Sequence, residues 1–248
     1  MSKGVSRRGL LTGGVALPAT LALSGAQADT IRGEMPWREG AADPPHAVVI
    51  DDRYIFFTPA EAAFIEAAAA RLIPKDELGP GALEAGAAFF LDRQLAGDYG
   101  QGGRWYMQGP WAKGEPTQGY QTRMTPAQLY RAAIKAIDDA AGRANGGKTF
   151  AKLGPAQQDA LLRQLEAGQI ALDGGVDAKT FFAQLLQNTL EGFFSDPIYG
   201  GNRDMAGWKL IGFPGVRYDN TPFVKAYGQP YPLPPVGIGG RPEWSRRS

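Results

Sequence analysis

This chain of 248 residues has no cysteine and one histidine. Without thiols it cannot form disulfides, hold an iron–sulfur cluster through cysteine, or attach haem covalently, since that attachment needs a C-x-x-C-H run. The single imidazole, His46, excludes multi-histidine metal sites and leaves any Ser-His-Asp or Cys-His scheme only that residue. It stands beside Pro44-Pro45, where an exposed or capping role outweighs a catalytic one. An excess of either charge is also missing. Lys and Arg number 26 against 25 for Asp and Glu, with no basic block, which argues against nucleic acid or an anionic membrane surface as partner. No run approaches the roughly 18 apolar residues of a membrane-spanning helix. No catalytic, cofactor-binding or metal-binding residue is therefore expected in this chain.

What is present begins with an export signal. Lys3, Arg7 and Arg8 form a basic start with no acid through residue 28, and Ser6-Arg7-Arg8-Gly9-Leu10-Leu11 has the form of a twin-arginine signal. Gly9 to Leu23 is a weakly apolar stretch diluted by Thr12, Gly13, Gly14 and Pro18. Ala26-Gln27-Ala28 then offers a small-x-small cleavage site before Asp29. An ordinary secretory signal is the rival reading, and low hydrophobicity with Leu-Leu directly after Arg-Arg favours the twin-arginine route. Either way the protein leaves the cytoplasm. Such a route usually serves proteins that fold around a cofactor first, so a leader without cofactor chemistry behind it suggests a folded passenger.

Residues 29–57 read as an extended arm, because Pro36, Gly40, Pro44 and Pro45 break every helical window and Val48-Val49-Ile50 suffices only for a short strand. Thr58-Pro59-Ala60-Glu61 then starts a helix with a capping box, proline at the first helical position and Phe57 as a staple. Phe64, Ile65, Ala68 and Leu72 form its stripe as far as Pro74. A second helix is expected from Gly81 or Ala82 to Leu95, carrying Leu83, Ala87, Phe90, Leu91 and Leu95. Residues 97–124 place glycine or proline at 97, 100, 102, 103, 109, 110, 114 and 116 among Tyr99, Trp105, Tyr106, Trp111 and Tyr120, which excludes regular structure. Thr125-Pro126-Ala127-Gln128 starts the next helix, with Leu129, Ala133, Ile134 and Ile137 on one face. Two more fit Pro155 to Ala167 and Ala178 to Phe193, the latter capped by Asp177 and lined by Phe181, Leu185, Leu186, Thr189 and Leu190. The expected fold is mainly α, a single domain of about five helices over 58–215 with long irregular loops, an extended arm before it and a Pro/aromatic-rich tail over 216–248.

Two motifs fail as chemistry. Gly237-Ile238-Gly239-Gly240 resembles half of a dinucleotide fingerprint, but no strand precedes it and Pro242 follows it. Asp51-Asp52 and Asp138-Asp139 are adjacent in sequence, so each pair points its members apart and suits surface or capping roles.

The stretch from Glu191-Gly192-Phe193-Phe194-Ser195-Asp196-Pro197 through Tyr199-Gly200-Gly201-Asn202-Arg203-Asp204 to Gly207-Trp208 and Phe213-Pro214-Gly215 resembles the signature region of the gluconate 2-dehydrogenase subunit 3 family. Phe57-Thr58-Pro59-Ala60-Glu61, Gly79-Pro80-Gly81-Ala82 running to Asp92-Arg93-Gln94-Leu95, and Arg123 to Arg131 are similar to the same family. The resemblance implies one part of a complex. Its large subunit would hold FAD and oxidise a sugar or sugar acid such as gluconate, 2-ketogluconate, fructose or sorbitol, and a multi-haem cytochrome c would pass electrons to quinone. The small subunit would carry its flavoprotein partner through the twin-arginine translocase into the periplasm, where the complex is held at the inner membrane. The family supplies no catalytic residue to carry over.

The aromatics of 191–215 have two readings, which sequence leaves open: Phe193, Phe194, Tyr199, Trp208 and Phe213 fill this domain's own core while Arg203 and Asp204 make local pairs, or Tyr199, Arg203 and Trp208 form the docking face for the flavoprotein, since interface centres favour such residues. Gly200-Gly201-Asn202 is expected to make a tight turn. The tail past Gly215, with prolines at 222, 230, 232, 234, 235 and 242, is expected to be extended, its aromatics favouring a wrap around a partner. Two other functions compete with the accessory subunit: a stand-alone periplasmic sugar-acid-binding protein or enzyme using the aromatic loop 97–124, and a chaperone-like export factor that departs after translocation.

Overall fold

The computed structural model describes residues 53–239 apart from 113, 116, 218 and 219. Arg7, Arg8, the Ala28/Asp29 cleavage point, His46, Asp51-Asp52, Pro242 and Trp244 lie outside the described residues. Within them the protein is helical: α1 (Pro59–Leu72), α2 (Ala87–Ala96), α3 (Asp98–Gln101), α4 (Pro126–Ala144), α5 (Pro155–Ala167), α6 (Ala178–Phe194) and α7 (Ala206–Ile211), with short 3-10 turns between them. No strand occurs among the described residues, only isolated bridges at Asp76–Gly79 and Gly215–Val236. The mainly α class is as expected.

The long helices start where their caps put them. The Thr58 hydroxyl accepts the Glu61 N–H while the Glu61 carboxylate accepts the Thr58 N–H at 2.8 Å, and Thr125 with Gln128 repeats the arrangement at α4. Asp177 caps α6 by accepting the Thr180 N–H at 2.7 Å. Each such cap contributes about 1 kcal/mol. The inward stripes of α1, α4, α5 and α6 then meet around Phe64, Tyr130, Phe150, Leu165, Phe181 and Leu185, all fully buried. Burial of each side chain of this size stabilises by about 1.5–3 kcal/mol, so this cluster is the main source of stability.

One polar network runs through the core. The Asn188 carboxamide oxygen accepts from the phenols of Tyr99 and Tyr130, each at 2.9 Å, and its amide donates to Glu191, joining α3, α4 and α6. Burial pushes the Tyr99 phenol up to about 12, and it pushes the fully buried Tyr130 up as well.

Four expectations change. The second helix begins at Ala87, not at Gly81 or Ala82, because Gly86 is left-handed (φ 77°) and a right-handed helix cannot pass through it. Leu83 therefore leaves the apolar stripe and is exposed. The glycine-rich segment does hold regular structure, the single-turn α3, which carries Tyr99 inward edge-on against Trp105, itself tilted against Tyr120 with ring centres 4.6 Å apart. Leu190 is on the outer face of α6, 37 % exposed, since the heptad-like spacing from Leu186 drifts past the buried side. Finally, the described part of the tail folds back on the chain instead of running out. Asp138 caps the turn at Phe150 by accepting its N–H at 2.8 Å, and Asp139 pairs with Lys135 on the surface.

Candidate functional site

The segment 192–216 is built on the close approach of α2 and α6. Gly192 lies so near that a side chain there would meet the Ala87 Cα at 3.0 Å, and Ala69, Ala82, Ala85 and Phe193 fill the space below. Small residues make this contact possible.

Beyond α6 the chain turns back on itself around Asn202. This side chain is wholly buried, donates from Nδ2 to the Ser195 carbonyl at 2.8 Å and accepts the Gly207 N–H on Oδ1 at 2.8 Å, while its own N–H donates to the Gly192 carbonyl. It is left-handed (φ 45°), as are Asp204 (φ 55°) and Met205 (φ 56°). Three such non-glycine residues within four positions cost of order 1–3 kcal/mol each and persist only where the surroundings fix them. Gly201 and Gly207 complete the knot, because a Cβ would meet the Gly192 carbonyl oxygen at 2.1 Å and the Phe193 carbonyl oxygen at 2.3 Å. The product is a rigid platform that carries α7.

Arg203 ties this platform to the start of the helical region. Its N–H donates to the Ala85 carbonyl at 2.9 Å, and its guanidinium lies 4.4 Å from the centre of the Phe89 ring. Phe89 in turn stacks on Tyr54 at 4.6 Å with the rings nearly parallel. The guanidinium occupies the space that a Cβ on Gly86 would take, 2.6 Å from Nε. Next to Tyr54, the buried Asp92 carboxylate accepts the backbone N–H groups of Ile55, Phe56 and Phe57 at 2.8, 2.9 and 2.9 Å, fixing the approach to α1. Tyr54 donates to Glu66 at 2.6 Å, and burial pushes its phenol pKa up.

The tail closes the assembly. Asp196 accepts the Ile198 N–H on one oxygen and the Ile238 N–H on the other at 2.7 Å, and Val236 pairs by its backbone with Pro214 and Val216. Gly237 belongs to this clasp, close to both Asp196 oxygens, and not to a nucleotide loop. Between the ends of the clasp Phe223 packs on Tyr231 at 4.6 Å, Arg217 lies over the same ring, and Arg217 bonds the Pro234 carbonyl.

The three residues proposed from sequence as a docking face are not brought together on one exposed surface. Tyr199 is 51 % exposed. Arg203 is half-buried in the stack just described. Trp208 is buried, donating Nε1–H to the Phe194 carbonyl at 2.8 Å and meeting Phe213 edge-on. Phe193 is buried, whereas Phe213 is 44 % exposed. Gly200-Gly201-Asn202 form the tight turn that their composition suggests, though sequence reading gave no role to the Asn202 side chain. It also missed Asp92 and Asp196; for Asp196 a signal existed, since Asp before Pro197 is an N-cap with proline at the first position, whereas for Asp92 the partners are distant backbone groups and no local pattern marks it.

The described residues contain no group of three or more His, Cys, Asp or Glu able to hold a metal. The side chains of Asp92, Asp196 and Asn202 bind backbone, so the arrangement fixes the shape of this surface. A family model, gluconate 2-dehydrogenase subunit 3, matches residues 59–215, well over half of the chain. The chain belongs to this family. The matched stretch of the subunit 3 fold runs from the first residue of α1 to Gly215, so it contains the knot at Asn202 and α7, while the clasp residues 236–238 lie beyond it. No curated protein and no solved structure matches the chain. No helix of the described subunit 3 residues is long and apolar enough to cross a membrane.

Proposed function

We propose that this chain is the non-catalytic small subunit of a periplasmic, membrane-associated, FAD-dependent sugar or sugar-acid dehydrogenase. It carries the twin-arginine signal for a flavoprotein partner and stabilises that partner. The observation that carries the reading is the family match across α1 to α7, which makes the chain a subunit of a gluconate 2-dehydrogenase-like complex. FAD and haem c belong to the partner subunits in this reading. The buried polar groups around Asn202 go into a rigid platform, which suits a role in binding and support.

The test is export. Changing Arg7 and Arg8 together to Lys should strand dehydrogenase activity in the cytoplasm, and activity that stays periplasmic or membrane-bound would contradict the passenger role. The groove of about 700 Å³ beside Trp111, Arg123 and Asp177 keeps the stand-alone sugar-acid reading open to measurement. Titration of gluconate into the isolated mature chain decides it: heat of binding supports the stand-alone reading, and none supports the accessory one.

A further inference from the structure

Resting on that accessory reading, the structure narrows where the partner sits. On α7, Leu210 is 45 % and Ile211 60 % exposed next to the exposed Lys209, and Phe213, just past the helix end, is 44 % exposed. Leu78, 77 % exposed, comes from the loop after α1 and lines one groove of about 340 Å³ together with Pro80, Ala206 and Leu210. Thus two distant segments meet to expose large apolar side chains at one place. Apolar surface gathered this way marks a contact site more often than it marks idle surface.

We propose that the groove of Leu78, Pro80, Ala206 and Leu210, presented by α7 and the loop after α1, is the centre of the contact with the flavin-carrying subunit. Three features select that occupant. The whole groove lies within the family-matched residues 59–215, the part of the chain that defines it as a subunit, whereas the tail lies outside. The charges on the groove are balanced, Arg203 and Lys209 against Glu84 and Asp204, which suits a protein surface with a polar rim and does not suit an anionic lipid headgroup layer. The helix that presents the face is held by the strained knot at Asn202, so the side chains are pre-organised and little ordering is left for association.

The experiment uses the full complex, co-expressed with a tag on the small subunit, and reads flavin absorbance retained per small subunit. The paired change Leu78→Asp with Leu210→Asp is expected to lower retention on the order of tenfold, with the melting temperature of the isolated variant unchanged, because both side chains already face solvent. Tyr227→Asp, in the tail and 84 % exposed, is the control and should retain the flavoprotein. Undiminished retention by the paired variant, or loss with Tyr227→Asp alone, overturns the assignment. Hydrogen exchange guards against a folding defect: wild-type amides at 206–213 should gain protection in the complex, and no gain overturns the proposal whatever the variants do. Protection already present in the isolated chain and abolished by the paired change would give the face to a second copy and equally overturn it. A wild-type subunit that retains no flavin at all strikes the accessory reading itself, a result distinguishable from failure of the face.

Discussion

Replacing Asp92 by Ala tests the clamp at the start of the helical region. The wild-type carboxylate is fully buried and accepts three backbone N–H groups within 2.9 Å, with the Arg93 guanidinium 3.5 Å away. Removing it orphans the N–H of Phe57, which is buried, and those of Ile55 and Phe56, which are partly so. At about 1–3 kcal/mol for each buried orphan, discounted for the two that water can reach, the loss should be about 3–5 kcal/mol. That is a large share of the roughly 5–15 kcal/mol available to a domain. Asp92→Asn should recover only part of it, since its one accepting oxygen can keep the Phe56 and Phe57 N–H groups that share Oδ1 while its NH2 is turned toward the Ile55 N–H. Urea unfolding at pH 7 gives the free energies, and hydrogen exchange at residues 55–57 locates the loss. If Asp92→Asn unfolds with the wild-type midpoint, or if Asp92→Ala costs under about 1 kcal/mol, the clamp is not what fixes this segment.

The other expectations follow the same logic. Asn202→Ala removes two side-chain hydrogen bonds and leaves a left-handed residue without its side-chain support, so it should cost about 3–5 kcal/mol by denaturant melting. Asn202→Gly, free of the backbone penalty, should cost about 1 kcal/mol less, and equal losses would remove strain from the explanation. Alkaline pH should weaken the fold through its tyrosines. Folded pKa values raised by burial mean that stability is fully present below the unfolded tyrosine value of about 10. It is lost as pH rises toward the value of about 12 reached by Tyr99. Phenolate absorbance from Tyr99 and Tyr130, read as the difference from the Tyr99→Phe and Tyr130→Phe variants, should therefore appear only as the protein unfolds, and a difference that titrates near about 10 with the fold intact would contradict their burial.

Much of the fold was legible because its signals are local. Thr58 with Glu61 and Thr125 with Gln128 announce two helix starts within four residues, and the stripes at Phe64, Ile65, Leu129 and Phe181 repeat at helical spacing. The start of α2 was not legible. Residues 81–86 have helix-compatible composition, and what stops the helix is the left-handed Gly86, a position kept free of a side chain by Arg203, more than a hundred residues later, resting where a Cβ there would lie. The docking set suffered from the same limit. Aromatic enrichment drew attention to the segment, but composition cannot say that Trp208 turns inward to the Phe194 carbonyl while Ile211 and Phe213 are exposed. In the tail, the prolines suggested extension, and the Asp196 carboxylate that folds residues 236–238 back is some forty positions upstream.

The measurement that bears most directly on the account is affinity purification of the tagged mature chain from cells that also make its flavoprotein partner, followed by an optical spectrum and a dehydrogenase assay with an artificial acceptor. The expected result is a yellow complex that oxidises a sugar or sugar acid, while the same chain purified alone is colourless and inactive. Turnover by the chain alone, or a pure colourless chain from the co-expressing cells, would contradict it.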